Sequence, residues 1–214
     1  MYLNGERVGD QVLAPAVTNF DRRSLKKMLY FFDDQSNQRV LYNTFDVTSL
    51  VQKAENTVGV LLGNGWYNQR DRTVEGCMWY DTPRLLCQLE IEYTDGSTEL
   101  VVTDDSWKTT TGPLLHDAIF TGEEYDARLE LDGWNRNGYK DSSWKKALLV
   151  RAPKGSLHAQ LAPHEKIIRI LQPVSCEQKD DSTYWYAFPE MISGWAHIKV
   201  QGNAGDRIKL RFVG

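Results

Sequence analysis

The chain has 214 residues and a formal net charge of -4, and 41% of its residues are hydrophobic. That length suits one large β domain, or one domain plus part of another. The mild negative charge and the lack of a basic run argue against nucleic acid and an anionic membrane surface as partners. No apolar run approaches the roughly 18 residues that a membrane-spanning helix needs.

Cysteine usage indicates neither a disulfide framework nor a zinc site. The three cysteines, Cys77, Cys87 and Cys176, are an odd number, and no CxxC pair occurs. The four histidines do not stand at ligand spacing. We therefore expect buried free thiols. No signal peptide is visible at the N-terminus, and the compartment stays open.

The first predicted element is a hairpin. Asn4-Gly5 is a turn signal, because both residues tolerate positive φ at little cost. Only three residues precede it, fewer than the roughly five or six of an ordinary strand. We therefore expect the chain to begin inside a larger natural domain. A strand is predicted over residues 39–47. A single helical turn follows it, with Asp46 or Thr48 as its cap.

Residues 57–63 form the next predicted strand, which runs into the turn signal Asn64-Gly65. Trp66 and Tyr67 follow at once and are therefore expected at the edge of a loop. Rings in that position can stack on the face of a sugar. The alternative, which we favour for these two residues, is that they plug the end of a β-sandwich core.

The most regular pattern predicts a hairpin around Asp95-Gly96. The segment 84–93 ends in a strict alternation of apolar and acidic residues, which places the two kinds on opposite faces of a strand. Residues 99–104 supply the returning strand.

The C-terminal part predicts a second group of strands after a linker within residues 151–166. Four strands are expected, at residues 166–173, 183–188, 194–200 and 207–212, with a turn over 202–206. We assign residues 1–158 to an N-terminal β-sandwich that lacks its first strands. Residues 159–214 are assigned to the beginning of a second, truncated β-sandwich. The predicted fold class is all-β.

Several blocks, taken in this order, resemble the N-terminal region of bacterial α-L-rhamnosidases. They are residues 2–10, 45–48, 63–67, 93–97, 103–108, 122–128, 133–134, 141–144, 192–195 and 202–206. The resemblance implies a galactose-binding-like jelly-roll or β-sandwich domain, followed by the start of another β-sandwich. Residues 187–192 depart from the family pattern, which leaves the role of that segment open.

The resemblance also implies how activity is divided. Full enzymes of this family hydrolyse terminal α-L-rhamnosides by an inverting route, with two carboxylates in a separate helical (α/α)6 barrel. That barrel would lie beyond residue 214, and nothing in the chain has its helical periodicity. We assign no catalytic residue, and we expect the fragment to be inactive alone. Its expected partner is the catalytic barrel of the same parent chain.

In some relatives the first domain binds rhamnose with calcium, and the resemblance therefore implies candidate ligands. For a rhamnose-containing carbohydrate the candidates are Asn64, Trp66, Tyr67 and Trp79. For calcium, which prefers several oxygen ligands, they are Asn64, Asp71 and Glu123. No cofactor is required by this interpretation, and calcium is compatible with it.

Three alternatives stay open. Asn64 can serve its turn only, and Glu123, Asp126 and Arg128 can form a buried charged network that locks the sheets together; we favour the network. The whole fragment can be a scaffold without a ligand that docks onto the barrel. An independent enzyme is disfavoured, because no nucleophile elbow, HExxH or phosphate loop is present.

Overall fold

The computed structural model describes residues 1–22, 37–68 and 80–213. In those ranges the chain forms 13 β-strands and two short 3-10 helices, and it has no α-helix. The prediction of an all-β chain is confirmed, while the finer jelly-roll topology stays a prediction. No helix within the described ranges is long and apolar enough to cross a bilayer.

The strands are short and are numbered in chain order. They are β1 (Tyr2–Leu3), β2 (Glu6–Arg7), β3 (Arg39–Tyr42), β4 (Val58–Gly59), β5 (Gln88–Glu92), β6 (Thr98–Val102), β7 (Lys108–Thr109), β8 (Leu114–Ala118), β9 (Gly122–Tyr125), β10 (Lys145–Lys146), β11 (Ser156–Ala159), β12 (Ser175–Gln178) and β13 (Tyr184–Ala187). The 3-10 helices are Thr48–Leu50 and Ala127–Leu129.

Most of the strands pair in twos. One sheet has three strands in the order β2-β1-β4, and the antiparallel pairs are β5–β6, β7–β10, β8–β9 and β12–β13. The β3 and β11 strands pair in parallel, which joins residues more than a hundred positions apart in the chain. The chain divides into two compact units, Met1–Lys166 and Ile167–Gly214. The domain boundary after residue 158 stays a prediction.

The N-terminal hairpin forms as predicted. Asn4 and Gly5 have φ values of 54° and 89°, and β1 and β2 pair on either side of them. Strand β1 also pairs with β4, which makes it the central strand of its sheet. Leu3 and Val8 are the fully buried apolar residues among those described, each 3% exposed. The core of the first unit is therefore centred on this sheet.

The hairpin around Asp95-Gly96 also forms as predicted, with β5 and β6 in unbroken antiparallel register. Gly96 has a φ of 84°, in the left-handed region that glycine enters at little cost. Along β5 the residues alternate between half-buried and exposed. The apolar residues Leu89 and Ile91 face inward, and the acidic ones face solvent.

The helical turn predicted after the strand at residues 39–47 is present as the 3-10 helix Thr48–Leu50. Asp46 supports its start, because Oδ1 accepts from the Thr48 backbone N–H at 2.9 Å and from the Thr48 hydroxyl at 2.7 Å. These bonds, above all the one from the hydroxyl, lower the pKa of Asp46.

In the second unit, the sequence pattern and the backbone differ. Of the four strands predicted there, only the one at residues 183–188 forms, as β13, and its partner β12 was not predicted. No strand forms over residues 166–173, 194–200 or 207–212. In the first of these ranges, Lys166 makes an isolated bridge with Gln11. Those three predictions are wrong. An alternating pattern shows which face of a segment can be buried, but a strand also needs a neighbour to bond.

The thiol prediction is wrong in part. Cys87 and Cys176 are free, but Cys87 is half-buried and Cys176 is exposed. Partial burial raises the pKa of the Cys87 thiol. Cys77 lies outside the described residues.

Candidate functional site

The turn at Asn64-Gly65 forms where it was predicted. The Asn64 carbonyl oxygen accepts from the backbone N–H of Tyr67 at 3.2 Å and from that of Asn68 at 3.1 Å. Gly65 has a φ of 47°. A Cβ atom on Gly63 would lie 3.0 Å from the Asp117 carboxylate, so the backbone approaches that group closely because Gly63 has no side chain.

Asp117, on β8, holds this turn by three hydrogen bonds from Asn64. The Asn64 backbone N–H donates to Asp117 Oδ2 at 2.7 Å. Asn64 Nδ2 donates to Asp117 Oδ1 at 2.7 Å and to the Asp117 carbonyl oxygen at 2.9 Å. Hydrogen bonds to an ionised acceptor are roughly twice as strong as neutral ones. The turn is therefore fastened to a strand 53 residues further along the chain.

The side chain of Asn64 is fully engaged. Its Oδ1 accepts from Asn68 Nδ2 at 2.8 Å, while its Nδ2 is used by Asp117. The Oδ1 atom of Asn68 is buried and has no hydrogen-bond partner. These contacts agree with the interpretation of Asn64 as a turn residue. The role of Asn64 as a carbohydrate or calcium ligand stays a prediction.

Trp66 and Tyr67 point into different surroundings. Trp66 is 38% exposed and meets Phe120 edge-on, with ring centroids 5.4 Å apart and an interplanar angle of 84°. Phe120 follows β8 and is 48% exposed. We call the Trp66–Phe120 pair the aromatic pair. It presents apolar ring surface at the edge of the turn, which is the kind of surface that a sugar face contacts.

Tyr67 packs among other rings. It contacts Phe20 edge-on at 5.3 Å between centroids and stacks on Tyr80 at 5.5 Å, with an interplanar angle of 20°. Burial raises the pKa of Tyr67. The core-plug alternative therefore describes Tyr67, whereas Trp66 stays half-exposed. Trp79, the remaining carbohydrate candidate, lies outside the described residues.

The calcium candidates are brought together only in part. Glu123 lies directly opposite Asp117 in the β8–β9 register, so the two carboxylates project to the same face. Asn64 contacts the Asp117 carboxylate, and Asp71 lies outside the described residues. Calcium takes six to eight oxygen ligands. In the part of the chain that the structure describes, no cluster of three or more ionisable ligands could hold a metal. The calcium site therefore stays a prediction.

Asp117 is the residue that sequence reasoning missed. Its acidic side chain stands between a histidine and an alanine, in a segment with no turn or capping signal. The function of Asp117 depends on its position opposite Glu123 in β9 and on the hydrogen bonds that it accepts from the distant turn. No feature of the sequence links positions 64 and 117.

The prediction of a buried charged network formed by Glu123, Asp126 and Arg128 is wrong, because Arg128 is exposed and Glu123 does not join the pair. Arg128 pairs with Asp126 through two contacts, Nε to Oδ1 at 2.8 Å and a terminal nitrogen to Oδ2 at 2.5 Å. The Arg128 side chain is 88% exposed. Glu123 pairs with Asp117 in the strand register instead. Hydrogen bonds from Arg128 lower the pKa of Asp126 to about 2.

Comparison with known proteins shows what this arrangement belongs to. A family model described as the α-L-rhamnosidase N-terminal domain matches residues 32–169. The chain belongs to this family. It is 31% identical to an α-L-rhamnosidase of Formosa agariphila over 98% of this chain, and the match covers 21% of that relative. An α-L-rhamnosidase of Alteromonas is also 31% identical, with 22% of its length covered.

Solved structures agree. An α-L-rhamnosidase from Dictyoglumus thermophilum superposes with a TM-score of 0.71 at 36% identity, over 86% of this chain and 18% of that one. An α-L-rhamnosidase from Streptomyces avermitilis, solved in complex with L-rhamnose, superposes with a TM-score of 0.67 at 29% identity, over 85% and 16%. The chain thus spans about a fifth of the length of the relatives that it matches.

Proposed function

We propose that this chain is a non-catalytic accessory region of an α-L-rhamnosidase, which contacts rhamnose-containing carbohydrate and positions it for a catalytic barrel of the same protein. The observation that carries the proposal is the half-exposed Trp66, which meets Phe120 at a turn held by Asp117. Membership of the family, and the small share of its relatives that the chain spans, support the accessory role.

The chemistry of the aromatic pair suits a deoxy sugar. L-rhamnose carries a methyl group and a C–H face that can rest on a ring, together with hydroxyl groups that need polar partners. The Glu123 carboxylate lies exposed on the neighbouring hairpin and can accept such hydroxyl groups. Asp71 and Trp79 belong to the same proposal, since they follow Tyr67 by four and twelve residues in the segment that leaves the turn.

Calorimetric titration with L-rhamnose, with and without calcium, tests this proposal. We expect heat of binding in the unmodified chain and its loss in Trp66→Ala. Trp185→Ala is the matched control, because Trp185 is an exposed tryptophan on β13, outside the turn, and 60% of it is exposed. No heat at millimolar sugar would overturn the proposal, and so would equal loss in both variants.

A second candidate function is that of a scaffold that docks onto the barrel. It is favoured by the run Leu148, Leu149 and Val150, which is 83%, 75% and 58% exposed. Contiguous exposed apolar surface commonly marks a protein interface. If this function holds, the variant Leu148→Ser with Leu149→Ser weakens association of the chain with a separately produced barrel. Sugar binding without any change in association would favour the first candidate.

A further inference from the structure

We infer that Asp117 is a positioning residue of the site, an inference that rests on the proposed function. It acts on a ligand through Asn64 and Trp66. Asp117 receives both the backbone N–H and the side-chain amide of Asn64, each at 2.7 Å from a different carboxylate oxygen. One side chain thereby fixes the backbone and the rotamer of the same turn residue.

This arrangement needs a carboxylate. An ionised aspartate offers two acceptor oxygens and no donor. Both Asn64 groups that point at it are donors. An asparagine at 117 would accept one of these hydrogen bonds and would direct its own N–H₂ group against the other donor. The Asp117→Asn change therefore breaks the match while it preserves the shape of the side chain.

The two rings of the aromatic pair come from the two elements that Asp117 joins. Trp66 lies two residues after Asn64, and Phe120 lies three residues after Asp117. The distance of 5.4 Å between the ring centroids therefore depends on how the turn is fixed to β8. The local hydrogen bonds of the turn, from Tyr67 and Asn68 to the Asn64 carbonyl, hold its curvature and do not attach it to β8.

The test compares Asp117→Asn with Glu124→Gln in the full chain. Glu124 lies on β9 next to Glu123, and its side chain projects to the opposite face. The two changes remove the same charge from the same hairpin. The L-rhamnose dissociation constant is measured well below the thermal midpoint of each variant, and amide hydrogen exchange is followed at Asn64, Tyr67 and Asn68.

For Asp117→Asn we expect about a tenfold rise in the dissociation constant, as one charge-assisted hydrogen bond is lost. We also expect faster exchange at the three turn amides, with little change in β5 and β6. Glu124→Gln should leave both readouts unchanged. A merely structural role would lower the thermal midpoint and leave the dissociation constant of the folded protein as it was, which would overturn the inference.

Failure of the inference and failure of the proposed function have different signatures. Unchanged binding by Asp117→Asn, or turn amides that exchange no faster, overturns the inference alone. Absence of L-rhamnose binding in the unmodified chain overturns the proposed function and the inference together. If Asp117→Asn unfolds, Asn64→Ala supplies the second variant, because it removes the side-chain donor of the same contact. Unchanged binding in Asn64→Ala would also overturn the inference.

Discussion

The β5–β6 and β8–β9 hairpins use their acidic residues differently. In β5–β6, Glu90 and Glu92 are exposed on a hairpin with unbroken register, closed by its own residues. In β8–β9 the register shifts between Leu114 and His116, and Asp117 accepts hydrogen bonds from a turn far away in the chain. A carboxylate on a strand thus becomes structural only where distant donors reach it.

The largest effect on stability is expected when the Asp117 carboxylate, which accepts hydrogen bonds from the distant turn, is removed. Asp117→Ala leaves the two donors of Asn64 without their acceptor, and we expect the free energy of unfolding to fall by about 2 to 3 kcal/mol. Glu92→Ala, at an exposed position of β5, should stay within about 0.5 kcal/mol of the unmodified chain. Chemical denaturation followed by circular dichroism measures both. Equal losses would show that the two hairpins do not differ in this respect.

A smaller effect is expected at the turn of β5–β6. Gly96→Val places a branched side chain at a φ of 84°, and the left-handed conformation should cost about 1 to 2 kcal/mol. Gly112→Ala is the control, since an added Cβ atom there meets open space and its φ is outside the left-handed region. The same denaturation experiment applies. A variant at Gly96 as stable as the control would mean that this hairpin does not depend on its turn.

The smallest effect is expected at the Asp126–Arg128 ion pair that follows β9, in which Arg128 is exposed. Arg128→Ala should raise the pKa of Asp126 from about 2 toward its ordinary 3.8. The pKa of Asp126 is depressed in the folded chain. Its contribution to stability is therefore present above the unfolded value of 3.8 and is lost as the pH falls through about 2.

An NMR titration of the Asp126 carboxyl group measures this shift. Above pH 4 the thermal midpoint of Arg128→Ala should fall modestly, because the stability that accompanies the low pKa of Asp126 is lost while solvent screens the exposed Arg128; below about pH 2 the two proteins should have similar midpoints. A large fall in the thermal midpoint above pH 4 would instead support the buried network that was predicted from the sequence. An unchanged pKa of Asp126 would mean that the ion pair does not form in solution.

Different parts of the chain were predictable to different degrees. The turns at Asn4-Gly5 and Asp95-Gly96 were predicted because the backbone preference of those residues is local. The segment 207–212 alternates polar and apolar residues as regularly as β5 does, yet it forms no strand. Alternation specifies a face, while a strand requires the N–H and C=O groups of a neighbour, which a single segment does not contain.

For the candidate site, the sequence by itself determined the turn at Asn64-Gly65 and the two aromatic residues after it. Local φ preferences and residue identity are sufficient for that. Only the tertiary structure decided that Tyr67 packs inward against Tyr80 while Trp66 meets Phe120. It also decided that Asp117 fastens the turn. The physical reason is distance along the chain, because a contact between residues 53 positions apart leaves no mark in the pattern near either one.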